Sequence, residues 1–316
     1  MHPARKNINL KVNNLDVSYN DEGPANRQTV IFIHGFPFNK SIWDFQLEHL
    51  KENYRVIAYD VRGHGKSQAG TEKFSIEMFA TDLISFMDEL EIDTAIICGL
   101  SMGGYIALTA VEKYPDRFTG LILCDTQSKA DTNEMKENRM KAIESIKLNG
   151  TEDYADESVK KLFAYISFTS KREEIAVVRD MIINTPVEIL AKTLIALAER
   201  NETTNKLGEI NMPVLIMVGK KDILTPPEKS ELMHEKIQNS TLELIDYAGH
   251  LPNLENPYEF NRSLKKFLDK ITDSDKQPHF ERNTYNPPQN NAIELLASKV
   301  ILNFYKIMWS FKKLAS

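Results

Sequence analysis

Thr94-Ala95-Ile96-Ile97-Cys98-Gly99-Leu100-Ser101-Met102-Gly103-Gly104 leads from a short apolar run, through a G-x-S-x-G turn, into a helical pattern that Pro115 closes. A continuous apolar run that stops at turn residues is what a strand buried on both faces requires. A serine in such a strand-to-helix turn sits on a strained backbone, with its hydroxyl raised into a cleft. Glycines two positions before and after let neighbouring chain pass close by, and the helix that follows sets the positive end of its dipole beneath the hydroxyl. Context and spacing together mark Ser101 as a candidate nucleophile.

Other apolar runs flank this one. Thr29-Val30-Ile31-Phe32-Ile33 stops at His34-Gly35, Tyr54 to Tyr59 stops at Asp60, and Gly120 to Cys124 stops at Asp125. Val214 to Val218 and Thr241 to Ile245 come later, and Ile8 to Tyr19 reads as a hairpin about Asn13-Asn14. Ser75 to Leu90 has Met78, Phe79, Leu83, Phe86, Met87 and Leu90 at helical spacing, and Tyr258 to Lys270 forms a further helix. Strands alternating with helices predict the α/β class: a mostly parallel central sheet with helices on both faces. Between Asp125 and Asn211 the rhythm changes. Met135–Lys147, Asp153–Phe168, Arg172–Asn184 and Pro186–Asn201 read as helices with no strand between them. The expected organisation is one domain over residues 1–272, with a helical cap inserted at about 128–205; a separate helical domain is the alternative. A polar linker over 273–291 and an amphipathic helix over 292–316 complete the chain.

With 316 residues, 42% hydrophobic and 27% charged, the composition excludes a fully disordered or collagen-like chain. Lys plus Arg number 39 against 45 Asp plus Glu, a net charge of −6 that gives no electrostatic footprint for nucleic acid. Cys98 and Cys124 each lie in an apolar run, as buried free thiols of a reducing compartment do, and no C-x-x-C occurs. The N-terminal residues hold no apolar signal segment, so cytoplasmic residence is expected. H-E-x-x-H, G-x-x-x-x-G-K-[ST] and a G-x-G-x-x-G following a strand are all missing, so neither metal nor cofactor is expected.

A serine needs a base to take its proton. Of seven histidines, His2 and His279 lie in the terminal segments, and His49 and His234 on charged helical stretches. His34 ends a strand run and His64 lies in Asp60-Val61-Arg62-Gly63-His64-Gly65. His250 follows the last strand run, in a loop able to reach a nucleophile on another strand. The acid that orients it is expected at Asp222, just past Val214–Val218, with Asp125 as the rival because it too ends a strand. The oxyanion donors are expected to be the backbone N–H groups of Met102 and Phe36, since Pro37 has none.

Four segments carry a resemblance to a known family: His34-Gly35-Phe36-Pro37, Asp60-Val61-Arg62-Gly63-His64-Gly65-Lys66-Ser67, Gly99-Leu100-Ser101-Met102-Gly103-Gly104, and Gly249-His250-Leu251-Pro252-Asn253-Leu254-Glu255-Asn256-Pro257. From about Ile31 to Leu268 the chain resembles α/β-hydrolase-fold serine hydrolases, whose triad follows the chain order of Ser101, Asp222, His250. Within them it is most similar to the branch of 3-oxoadipate enol-lactonases and cofactor-free haloperoxidase-like esterases, through Leu123-Cys124-Asp125-Thr126 and His250-Leu251-Pro252-Asn253. The resemblance implies that Asp60 to Gly65 is a structural turn, which leaves His64 out of the triad. A serine at the elbow argues against haloalkane dehalogenases and epoxide hydrolases, whose nucleophile is an aspartate.

The expected activity is hydrolysis of a small carboxylic ester or lactone through an acyl-enzyme. A C–C bond hydrolase or thioesterase would use the same triad, and a ligand-sensing or partner-binding protein of little turnover is the reading from another class. Phe163, Phe168 and Met181 are expected either to wall the substrate pocket or to pack in the core. In the tail, Ile293, Leu296, Val300, Phe304, Ile307, Phe311 and Leu314 recur at three or four residues, while Lys299, Lys306, Lys312 and Lys313 stand against Glu294 alone. Contact with an anionic membrane surface, docking on its own domain or a second subunit, and disorder are the three readings of this segment.

Overall fold

The structure, a computed structural model, describes residues 5–274. The expected helix over 292–316, and all but the first two residues of the expected linker, lie outside the described residues. The chain opens with β1 (Arg5–Val12) and β2 (Leu15–Glu22), antiparallel and paired up to Val12 with Leu15. Asn13 and Asn14 make the turn at φ 50° and 64°, the left-handed conformations that a two-residue hairpin needs and asparagine tolerates. β3 (Thr29–Ile33), α1 (Asp44–Leu50), β4 (Arg55–Tyr59), α2 (Ile76–Glu89), β5 (Ala95–Leu100), α3 (Met102–Lys113) and β6 (Phe118–Cys124) follow. Ser75 starts α2 by accepting from the N–H of Met78. Helices α4 (Asn133–Asn149), α5 (Thr151–Leu162), α6 (Ser167–Ser170), α7 (Arg172–Ile183) and α8 (Val187–Glu199) come before the next strand. The chain then continues through β7 (Val214–Gly219), α9 (Pro227–Lys236), β8 (Ser240–Ile245), α10 (Pro252–Glu255) and α11 (Pro257–Ser274).

The eight strands form one sheet in the order β1-β2-β4-β3-β5-β6-β7-β8, parallel from β4 onward. All five residues of β3 are buried, and its side chains divide between two cores. Ile31 and Ile33 join Phe79, Leu83 and Ile106 of α2 and α3 on one face. Val30 and Phe32 join Leu47 of α1 and Phe260 and Leu264 of α11 on the other. That two-sided burial is why the central runs lack polar alternation. The order reverses at β3 and β5, so the loops leaving their carboxyl ends diverge and open a crevice there.

Two helix ends differ from expectation by more than two residues. The helix expected over Asp153–Phe168 starts at Thr151, ends at Leu162 and is followed by the separate turn α6. The Leu162 carbonyl accepts from the N–H of His250 at 2.8 Å, and the Ala164 N–H donates to Glu255 at 2.7 Å, so a distant loop takes the groups that would continue the helix. Helix α11 passes Lys270 and reaches Ser274, with Ile271 packed in the core and the Thr272 hydroxyl bonded to the Leu268 carbonyl.

Candidate active site

Ser101 stands between β5 and α3 at φ 52° and ψ −112°, a conformation that costs a non-glycine residue about 1–3 kcal/mol. The packing around it holds the strain. A Cβ on Gly99 would overlap the Gly103 carbonyl, and one on Gly103 would overlap the Ile33 carbonyl. The Ser101 N–H donates to the Cys124 carbonyl at 2.9 Å, and its own carbonyl accepts from the Thr126 hydroxyl at 2.8 Å. The Ser101 Oγ thus faces the crevice instead of turning back along the strand.

Ser101, His250 and Asp222 come together. His250 Nε2 lies 2.9 Å from Ser101 Oγ, and His250 Nδ1 lies 2.8 Å from Asp222 Oδ2. Asp222 is 3% exposed in the loop after β7. Its Oδ1 accepts from the N–H groups of Leu224 at 2.8 Å and Thr225 at 3.2 Å, and its Oδ2 accepts from the Thr225 hydroxyl at 2.6 Å. Burial alone would raise this carboxyl. The charge of His250 and these hydrogen bonds outweigh burial and hold it down at about 2.

Asp125, the rival, makes no contact with His250 of that kind. Its Oδ1 accepts from the Gly219 N–H at 2.9 Å, and Oδ2 is buried without a partner. Burial first, and then the charge of Asp222, push its carboxyl well above the usual range. Oxygens of Asp125 and Asp222 and a ring nitrogen of His250 lie within 4.8 Å of one another, the composition of a small metal site. The His250 nitrogen and Asp222 oxygen already share a proton, however, and Asp125 is driven toward its neutral form. Those are the features of a proton relay, whereas a cation needs deprotonated ligands facing one point.

Phe36, in the loop after β3, and Met102, in the first turn of α3, both line the cavity that contains Ser101 and His250. The cavity is about 320 Å³. Helices α4, α5 and α8 form its other side through Ala142, Tyr154, Leu162 and Leu194, among others. Arg139 and Lys161 also line it, and among the described residues no carboxylate does. Arg139 is paired with Asp131, whereas Lys161 is exposed with no ion pair among the described residues. Phe163 and Met181 are buried in the core cluster with Phe168 packed against it; none of the three lines the cavity. Of the two roles expected for them, core packing is the one they fill.

His34 and His64 stand apart from this centre. His34 accepts from the Val61 N–H through Nε2 and donates from Nδ1 to the Gly35 carbonyl, so it ties the ends of β3 and β4. His64 is buried behind Phe36, its Nδ1 3.1 Å from the Arg62 carbonyl, and burial and the neighbouring His34 pull it down to about 3. Asp60 accepts from Lys40 and from the Lys66 N–H, and Arg62 is bidentate to Asp82. Cys98 and Cys124 are free and buried, with Sγ atoms 3.9 Å apart. Sequence reasoning gave no role to Thr225, although an Asp followed three residues on by Thr is the pattern in which a side chain caps its own turn.

Residues 28–257 match the family model described as alpha/beta hydrolase fold. The chain is 31% identical to 3-oxoadipate enol-lactonase 1 of Acinetobacter baylyi over 250 residues, covering 79% of this chain and 91% of that protein. Among solved structures it is similar to a thermophilic esterase from Thermogutta terrifontis, with a TM-score of 0.80 at 33% identity, over 84% of this chain and 99% of that one. It is also similar to the enol-lactonase from Burkholderia xenovorans, with a TM-score of 0.78 at 25% identity, over 83% of this chain and 100% of that one.

Proposed function

The chain belongs to the α/β-hydrolase-fold family and is a carboxylic ester hydrolase; from that premise we propose that it cleaves small, acid-bearing esters or lactones through an acyl-enzyme on Ser101. The observation that carries the mechanism is the unbroken series from Ser101 Oγ through His250 to Asp222, at 2.9 and 2.8 Å. His250 Nε2 takes the serine proton as Oγ attacks the carbonyl carbon, and Asp222 stabilises the imidazolium that forms. The N–H groups of Phe36 and Met102 hold the charge that develops on the carbonyl oxygen. His250 then returns the proton to the leaving oxygen, which in a lactone stays tethered to the acyl group. Water enters, gives a proton to His250 and repeats the attack, so that the serine is regenerated and the acid released.

The cavity supports this substrate class. Its volume, about 320 Å³, is at the small end of ligand sites. Lys161, which has no ion pair among the described residues, and Arg139, which is paired with Asp131, line it, and among the described residues no carboxylate does, which favours a substrate with a negative group of its own. The enol-lactonase relatives support the lactone form of this reading. The inserted helices over the crevice act as the cap that sets chain length.

The test is hydrolysis of p-nitrophenyl acetate by wild type and Ser101→Ala, with fluorophosphonate labelling read by mass spectrometry. Loss of the nucleophile costs about a million-fold in kcat. Labelling of Ser101 in the wild type, with neither turnover nor label in a folded Ser101→Ala, is the expected result. A label on another serine, or persisting turnover, overturns the assignment.

A further inference from the structure

Glu255 closes α10, five positions after His250, and the reaction derived above makes no use of it. It is 7% exposed, and its two oxygens face two different parts of the molecule. Oε1 accepts from the N–H of Gly249 at 2.7 Å and of Leu251 at 3.4 Å, the residues on either side of His250. Oε2 accepts from the N–H of Ala164, in the connection between α5 and α6, at 2.7 Å and from the hydroxyl of Ser167, the first residue of α6, at 2.6 Å. The N–H of His250 completes the junction by donating to the Leu162 carbonyl. Gly249 has no room for a side chain here: a Cβ would lie 2.7 Å from the Ala164 nitrogen.

Four donors converge on this one side chain. A carboxylate can accept all four, because it has two oxygens and about four lone-pair sites. An amide of the same shape would turn an NH2 toward one pair of donors. A buried ion costs several kcal/mol unless it is fully hydrogen-bonded, so a residue that served only to fill space here would be apolar. We propose that Glu255 is a positioning residue for His250: it fixes the loop on both sides of the imidazole and anchors that loop to the inserted helices whose α5 walls the cavity. The proposal rests on the role of His250 given above. Substrate held against Tyr154 and Leu162 of α5 then presses on a segment bonded directly to the loop that carries the base.

The experiment compares wild type, Glu255→Gln and Ser167→Ala. It uses p-nitrophenyl acetate kinetics, thermal melting, and the far-downfield proton NMR signal of the His250 Nδ1–H, assigned by its loss in His250→Gln. Expected for Glu255→Gln is a kcat lowered at least tenfold with KM within threefold, and loss or movement of the downfield signal in a protein that still melts cooperatively. Ser167→Ala removes a single donor. It should stay folded, move the same signal and lower kcat about threefold. A folded Glu255→Gln with wild-type kcat overturns the proposal. So does a lowered kcat with the signal unmoved, which would mean general softening. Should Glu255→Gln fail to fold, an unmoved signal and unchanged kcat in Ser167→Ala overturn it equally. The NMR arm needs no turnover: loss of the signal in a protein inert toward every ester would retain the positioning role and remove the proposed reaction.

Discussion

Asparagine at position 222 would reverse the direction of the proton relay while leaving its shape intact. Asp222 Oδ1 accepts two backbone N–H groups, from Leu224 and Thr225. In Asp222→Asn the amide oxygen must keep that place, because an NH2 there would meet two donors. The NH2 therefore falls where Oδ2 lies, 2.8 Å from His250 Nδ1. The Thr225 hydroxyl does not resist, since it can rotate from donor to acceptor. Facing an NH2, Nδ1 becomes the acceptor, and the ring proton moves to Nε2, 2.9 Å from Ser101 Oγ. A protonated Nε2 cannot take the serine proton. Loss of the correct tautomer, with geometry preserved, costs about ten-thousand-fold in kcat. At about 1.36 kcal/mol per decade that is about 5 kcal/mol of transition-state stabilisation. The assay is kcat for p-nitrophenyl acetate in wild type, Asp222→Asn and Asp125→Asn. Asp125 is pushed toward its neutral form, which asparagine imitates, so Asp125→Asn should stay within about threefold of wild type. Asp222→Asn within tenfold of wild type, or Asp125→Asn the more damaging of the two, would refute the reasoning.

Two further outcomes follow from the charges. Lys161→Ala should raise KM up to about fivefold for a p-nitrophenyl monoester of a dicarboxylic acid and leave the acetate unchanged, because an exposed ion pair is worth at most about 1 kcal/mol; equal effects on both substrates would remove Lys161 from recognition. Acid should destabilise the fold in two windows. His64 is held down to about 3, so below its unfolded value of 6.5 the unfolded chain takes a proton that the fold refuses, and stability falls from about pH 6.5 toward 3. Asp222, held at about 2 against 3.8, contributes about 2 kcal/mol that is present above pH 4 and lost as pH falls through 2. Asp125 and Glu255 are raised and act in the opposite sense, so the reading is a difference. Asn overlays the Nδ1 side of the ring, and between pH 7.5 and 5 the urea midpoint of His64→Asn should fall less steeply than that of wild type; parallel slopes would contradict this assignment.

Local pattern was sufficient wherever burial repeats locally. The run of β3 is apolar without alternation because Val30 and Phe32 enter one core and Ile31 and Ile33 the other, and that two-sidedness is visible in the letters alone. Asn13-Asn14 announced its hairpin through the one property of the residue that matters there, tolerance of positive φ. The end of α5 was not legible. Apolar spacing carries on from Val159 and Leu162 through Phe163 to Phe168, and nothing nearby stops the helix. What stops it is the His250 loop, which takes the Leu162 carbonyl, and Glu255, which takes the Ala164 N–H. The same limit governed Phe163 and Met181: periodicity marks a residue as buried but does not say whether it faces a neighbouring helix or the substrate cavity.

The choice between the two acids shows where the chemistry becomes readable. Asp125 and Asp222 follow neighbouring strands, β6 and β7, and either position ends a strand of the sheet. Two carboxyls this close within a buried site do not both ionise readily, so one takes the charge and the other the proton. Position along the sheet does not settle which. The donors do. Asp222 has two backbone N–H groups, the Thr225 hydroxyl and the imidazole, whereas Asp125 has the Gly219 N–H alone. Three of the four donors to Asp222 come from its own turn, Asp222-Ile223-Leu224-Thr225, and are therefore written in the sequence. The fourth is the imidazole itself, so the acid best solvated by its own turn is also the one that His250 meets. Burial, and after it the charge on Asp222, raises Asp125, which drives the second carboxyl toward its neutral form and weakens it as a competitor for the imidazolium.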